Sequence, residues 1–366
     1  MFPLQKNPSW RAVLGTILTV TLFAIAAPAS AANWSSWRGE SNGKSASTES
    51  GFATRWDKSA NVRWRIPLPD RGNSTPVVWG DRIFLTQAVE KEHRRTLMCL
   101  DRKDGRILWQ KDVIYSKPET THQDNPYCAA SPVTDGERVI VTHGSAGVYC
   151  YDFTGKELWK RDLGPQEHIW GNASSPVLQG DLCILYHGPG KGDFLVAMDK
   201  KTGKEVWRHS EPSMDFSDRV DGFKGQKNGV VGSFSTPIVI QYKGRDELVM
   251  SFPKYVKAFD PKTGRELWRC DGLNPLIYAS LLWDGEVLVA MGGYFGNTIA
   301  VRPGGNGDVT ATHRLWLNVR DKGGIGSGLI HDGHIYYQNS GNLIVCMDVK
   351  TGKILWEERV PNAGAK

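Results

Sequence analysis

The sequence predicts an all-β fold, a propeller of stacked four-stranded antiparallel units, and three observations predict it. A block of the form Asp-x-x-Thr-Gly-x-x-x-Trp recurs along the chain. A small residue followed by proline recurs ahead of that block. Glycine (40 residues) and tryptophan (14 residues) are abundant. Such a composition suits many short strands joined by tight turns, and chains that stay unfolded are poor in aromatics.

The repeat can be read copy by copy. Asp101 is followed by Gly105 and Trp109, Asp152 by Gly155 and Trp159, and Asp199 by Gly203 and Trp207. Asp260 is followed by Gly264 and Trp268, and Asp348 by Gly352 and Trp356. A degenerate sixth copy runs from Thr298 to Trp316 and has Arg302 where the others have Asp. Tryptophans recur every 40 to 61 residues, the length of a four-stranded blade.

Each element of one unit has a physical reason. The first strand begins at Pro76, Pro132, Pro176 or Pro237, with Leu281 and Leu329 filling that slot in the last two copies. Proline at a strand's first residue loses no ladder bond. An Asp-Gly or Gly-Asp turn closes the first hairpin. The third strand runs to the repeat Asp, whose carboxylate accepts local amides while the Gly takes positive φ. The fourth strand carries the Trp, which fills the gap to the neighbouring blade. Cys99, Cys150 and Cys346 stand two residues before the repeat Asp, where other copies have Ala197, Ala258 and Ala300. That is a small buried slot, and a free Cys there acts as a small hydrophobe. Cys128, Cys183 and Cys270 show no metal-ligand or redox spacing.

Residues 61–67, with Trp64, read as a fourth strand without its first three. The expectation is six complete repeats plus a lone N-terminal strand. Of the two ways to close such a chain, a ring of six units or an incomplete eight-bladed ring, the second is favoured. It leaves an open edge suited to self-association.

Residues 1–31 read as a secretory signal peptide: Lys6 and Arg11, an apolar run, then Ala29-Ser30-Ala31. The expected organisation is signal peptide 1–31, lead segment 32–60 and propeller 61–366, exported to a periplasm or beyond after cleavage near Ala31. No later run is apolar enough for a transmembrane segment. The net charge of +6 is spread among both signs, which speaks against a nucleic-acid partner.

The repeat resembles that of the pyrroloquinoline-quinone (PQQ)-like propellers, which include quinoprotein alcohol dehydrogenases and the BamB-type outer-membrane assembly propeller. Trp34-Ser-Ser-Trp37-Arg38-Gly39, residues 121–128 and residues 167–176 are similar to exported PQQ-like proteins of planctomycetes. The resemblance implies PQQ by family name alone. No two cysteines are adjacent, and no stretch matches the calcium and catalytic residues of the quinoprotein dehydrogenases. No cofactor is therefore expected, and no metal or catalytic residue is assigned.

Propeller function sits on the loops of one channel face. Connections 110–131, 160–175 and 208–235 are longer than a turn needs. They hold His122, Asp124, Asn125 and Tyr127; His168, Trp170 and Asn172; and Asp215, Asp218, Arg219, Asp221 and Asn228. These form the candidate ligand-binding set, with Asp215 and Asp221 as lesser members. The same side chains could instead hold the blades in register by hydrogen bonding. Ser174 and Ser175 occupy the repeat's small slot and read as structural. The function expected is an exported scaffold that binds a partner protein, envelope polymer or small ligand. The alternative is a quinone- or metal-dependent enzyme.

Overall fold

The computed structural model describes residues 32–39, 51–212, 214, 219–225, 230–321 and 323–359. The expected signal peptide lies outside these residues, as do Asp215, Asp218 and Asn228.

Six antiparallel four-stranded units follow one another along the chain with their strands in sequence order, and the fourth carries a short fifth strand at its edge. The first, here blade 1, comprises Val77–Trp79, Arg82–Val89, Arg94–Asp101 and Ile107–Ile114. Blades 2 and 3 run from Val133–Thr134 to Glu157–Arg161 and from Val177–Gln179 to Glu205–Ser210. Blades 4, 5 and 6 run from Ile238–Tyr242 to Glu266–Asp271, from Leu282–Trp283 to Arg314–Asn318, and from Leu329–His331 to Ile354–Arg359. Pairing within each blade is antiparallel, so the fold is the all-β propeller that the repeat predicts. The degenerate copy also builds a complete sheet.

The third and fourth strands of every blade share one register. The small slot two residues before the repeat Asp lies opposite the Trp: Cys99 faces Trp109, Ala197 faces Trp207, and Cys346 faces Trp356. A bulge follows at once in each pair, and it re-aims the strand toward the turn. The indole then leaves its own blade. Trp109 donates its indole N–H to the carbonyl of Phe153 in blade 2 at 3.0 Å, and Trp159 to that of Lys200 in blade 3 at 3.0 Å. Trp207 reaches Pro261 of blade 4 at 2.9 Å, and Trp316 reaches Val349 of blade 6 at 2.9 Å. Each of these rings lies over the receiving blade's repeat glycine: Gly155, Gly203, Gly264 and Gly352. All six cysteines are buried and free.

Residues 61–67 correct one expectation. They form no sheet pairing, although Trp64 still docks as a repeat tryptophan, over Gly105 and onto the Arg102 carbonyl at 3.0 Å. Of the flanking residues, Ile66 packs against Leu85, Met98 and Leu100 of blade 1. A second correction concerns blade 6, where Gly328, rather than Leu329, stands immediately before the first strand in the slot that Pro76 fills in blade 1. Two short parallel pairings were not foreseen: Gly232–Ser233 with Leu276–Ile277, and Gly307–Asp308 with the last strand of blade 4.

The small residue before each slot has a specific task. The Thr75 N–H donates to Ser131 Oγ at 2.9 Å, and the Ser131 N–H to Ser175 Oγ at 2.9 Å. The Ser175 N–H donates to Thr236 Oγ1 at 3.0 Å, the Thr236 N–H to Ser280 Oγ at 2.8 Å, and the Ser280 N–H to Ser327 Oγ at 2.9 Å. A seam of hydroxyls thus stitches the inner ends of all six blades together. The lead segment joins it. Trp34 pairs with Val78, the Ser35 carbonyl accepts the Thr134 N–H, and Arg38 donates to the Ser327 carbonyl at 2.6 Å.

Candidate functional site

All five connections between successive blades converge on one pocket of about 420 Å³. Its floor contains Ser175, Thr236, Ser280 and Ser327 of the hydroxyl seam. The slot residues are small because the chain must both bond its neighbour and leave this space open.

The walls are aromatic. Trp170 stacks near Tyr278 with ring centroids 6.1 Å apart and planes 25° apart. Phe234 stacks on the same Tyr278 at 6.0 Å and 9°. Phe223 packs against Trp170 at 5.5 Å and against Tyr294 at 5.6 Å. Trp37 from the lead segment adds a further face. These rings come from connections far apart in sequence, and the Gly232–Ser233 pairing with Leu276–Ile277 holds two of those connections side by side. Burial pushes the Tyr278 hydroxyl well above the usual phenol range, so it stays protonated.

Polar groups occupy the mouth. Asn73, His122, Asp124 and Asn125 line it. The Asp124 main-chain N–H donates to His122 Nδ1 at 3.1 Å, and the Asp124 carboxylate lies 3.7 Å from the same ring nitrogen. Asn125 donates its side-chain amide to the carbonyls of Trp170 at 2.8 Å and Asn172 at 3.2 Å. It therefore ties the first long connection to the second. None of the described lining residues is lysine or arginine.

The candidate residues divide. His122, Asp124, Asn125 and Trp170 face the pocket. His168 lies beneath it, buried, with its ring edge on Trp170 and Phe234; burial lowers its pKa to about 4, so it is neutral. Tyr127 and Asn172 point to a different, closed cleft, where the Tyr127 hydroxyl donates to the Glu119 carbonyl and its ring covers Arg95. Arg219 is buried and pairs with Asp221 through bonds of 2.8 and 2.6 Å, which shapes the third connection. Phe223, Phe234, Tyr278 and Tyr294 were missed. The first two lie in the third long connection. Tyr278 sits in a short connection and Tyr294 in a hairpin of blade 5, where nothing in local spacing marks a site.

Among the described residues, no three His, Cys, Asp or Glu side chains gather as a metal site would require. No helix of the described residues is long and apolar enough to cross a membrane.

Residues 10–126 and 93–358 match the family model described as outer membrane protein assembly factor BamB. The chain belongs to this family of PQQ-like propellers. The solved structure of BamB from Moraxella catarrhalis is similar in fold, with a TM-score of 0.53 and 16% identity over 78% of this chain and 74% of that one. Among curated proteins, the tetrathionate hydrolase of Acidithiobacillus ferrooxidans is 21% identical over 72% of this chain and 41% of its own length. That of Acidianus ambivalens is 27% identical over 30% of this chain and 24% of its own length. The chain thus spans about two fifths and about a quarter of the length of these two curated relatives.

Proposed function

We propose that this protein is an exported binding propeller whose channel pocket captures a hydroxyl-bearing, uncharged ring, as an envelope polysaccharide presents. The observation that carries the reading is the pocket wall. Flat aromatic faces from Trp170, Tyr278 and Phe223 stand beside Asn73, Asn125 and Asp124, over a floor of hydroxyls. Aromatic faces take the apolar face of a sugar, and amides and carboxylates take its hydroxyls.

The described lining speaks against a PQQ cofactor. PQQ carries three carboxylates, and the described lining offers no lysine or arginine to meet them. The six cysteines are separate rather than adjacent.

Titration with envelope oligosaccharides, followed by tryptophan fluorescence, tests the binding reading. Trp170→Ala and Tyr278→Ala should each weaken binding at least tenfold while the folded fraction, read by circular dichroism at the working temperature, holds. Equal affinity in both variants would sink it. A second reading is supported by the curated relatives: hydrolysis of a small sulfur compound in the same pocket. Turnover of tetrathionate by the purified protein, lost in Asp124→Asn, would favour it over simple binding.

A further inference from the structure

The repeat breaks once, at blade 5, and the break builds a second site. Arg302 occupies the repeat Asp position there. Its N–H donates to the His313 carbonyl at 2.9 Å, as the Asp101 N–H donates to the Arg106 carbonyl at 2.8 Å. The intervening turn is longer, and its side-chain chemistry is reversed. In the other copies the Asp carboxylate accepts turn amides, as Asp199 does from Lys201 and Thr202. A guanidinium accepts nothing. Gly304, Gly305 and Gly307, with φ of 92°, 85° and 68°, turn the chain instead.

The adjoining tryptophan responds. Trp268 is fully buried and donates its indole N–H to Glu247 Oε2 at 2.8 Å rather than to a carbonyl of the next blade. Glu247 is itself fully buried. Its other oxygen accepts Arg245 Nε at 3.0 Å, and Arg245 also reaches the Gly305 carbonyl at 3.3 Å. The buried acid therefore fixes Arg245 from behind at the rim of a cleft of about 320 Å³. Lys243, Arg245, Arg302 and His313 line that cleft together with Tyr242. Lys243 lies 5.3 Å over the Tyr242 ring. Three permanent cations thus face one acid, and that acid is already engaged by Arg245 and Trp268.

We propose that this cleft binds a small multivalent oxyanion of the sulfate or phosphate class, free or as the head of a monoester. Arg302 and Lys243 supply the exposed charges, and Arg245, whose Nε and Nη2 are held by Glu247 and the Gly305 carbonyl, presents its remaining Nη1 as a positioned donor. The site lies between blades 4 and 5 and shares no lining residue with the channel pocket.

Calorimetric titration of the full protein with sodium sulfate, sodium phosphate and glycerol phosphate, at constant ionic strength, tests it. Saturable one-to-one binding is expected. Arg302→Asp, which restores the repeat residue, and Lys243→Ala should each weaken it at least tenfold with the thermal midpoint kept. Tighter binding of the monoester than of inorganic phosphate would support a headgroup as the source, and equal binding would support the free anion. Heats that never saturate, or affinity retained in both variants, would overturn the proposal. So would loss of sulfate binding in Trp170→Ala.

Discussion

The repeat glycine serves two purposes at one atom. Gly264 has φ +70°, and a Cβ there would stand 2.5 Å from Cε3 of Trp207. Both the backbone and the indole forbid a side chain. Gly244 has φ +78° but open space around its missing Cβ. The two separate the effects. Gly264→Ala should cost about 3 kcal/mol: roughly 1–2 for left-handed backbone and a similar amount for displacing the ring. Gly244→Ala should cost the backbone share alone. Urea midpoints of the two variants decide it, and equal losses would show that the Trp207 contact contributes nothing. The repeat residues were legible in the sequence because backbone geometry pins them: an Asp to hold turn amides, a Gly where no Cβ fits, and a small residue opposite an indole. The pocket aromatics were not. Tyr278 meets Trp170, 108 positions earlier, only after their two connections are folded against each other, and no local spacing encodes that.

At the level of elements, the connections between blades carry both the seam and the pocket. Ser175 Oγ accepts the Ser131 N–H in a fully buried setting. Ser175→Ala leaves that donor without an acceptor, at a cost of about 1–3 kcal/mol. Ser175→Thr keeps the oxygen and should restore most of it. Hydrogen exchange at the Ser131 amide reads the bond directly; unchanged protection in the alanine variant would show that another acceptor takes over. The sequence marked these serines as structural, and it marked the three long connections as bearing the site. His168 and Arg219 show where that reasoning stops. A histidine in a long loop looks like a ligand contact, yet His168 packs under the pocket, because aromatic neighbours exclude water from it. Burial is a property of the assembled loops rather than of loop length.

For the whole molecule, three buried histidines set the acid limit. Burial lowers His143 to about 3, and His168 and His187 to about 4. In the unfolded chain each titrates near 6.5. As pH falls below that value, the unfolded state takes up protons that the folded state refuses, so stability drops between pH 6.5 and 4. The slope approaches roughly 4 kcal/mol per pH unit near pH 5, as an upper bound for three groups. Asp193 works the other way: burial raises its pKa, and its contribution is present at low pH and lost as pH rises. It is one group against three. Urea unfolding at pH 7 and pH 5 should show the lower stability at pH 5. A flat or inverted profile would mean that these histidines protonate within the fold.

The tryptophan contacts also have a direction. Trp64, Trp109, Trp159, Trp207 and Trp316 all reach forward, into the blade that follows in sequence. Trp356 has no such acceptor among the described residues and is 43% exposed. Trimming whole blades from the two sides of the array is therefore not symmetrical. Removal from the front takes away an indole and leaves an uncovered turn, which is polar and tolerates water. Removal from the rear takes away a turn and strands the indole that relied on it. Shortened versions should stay dispersed when cut from the front and clump when cut from the rear, because the forward-leaning indoles make the fold a queue in which each member leans on the one that follows, blade 4 excepted, whose Trp268 bonds Glu247 of its own sheet.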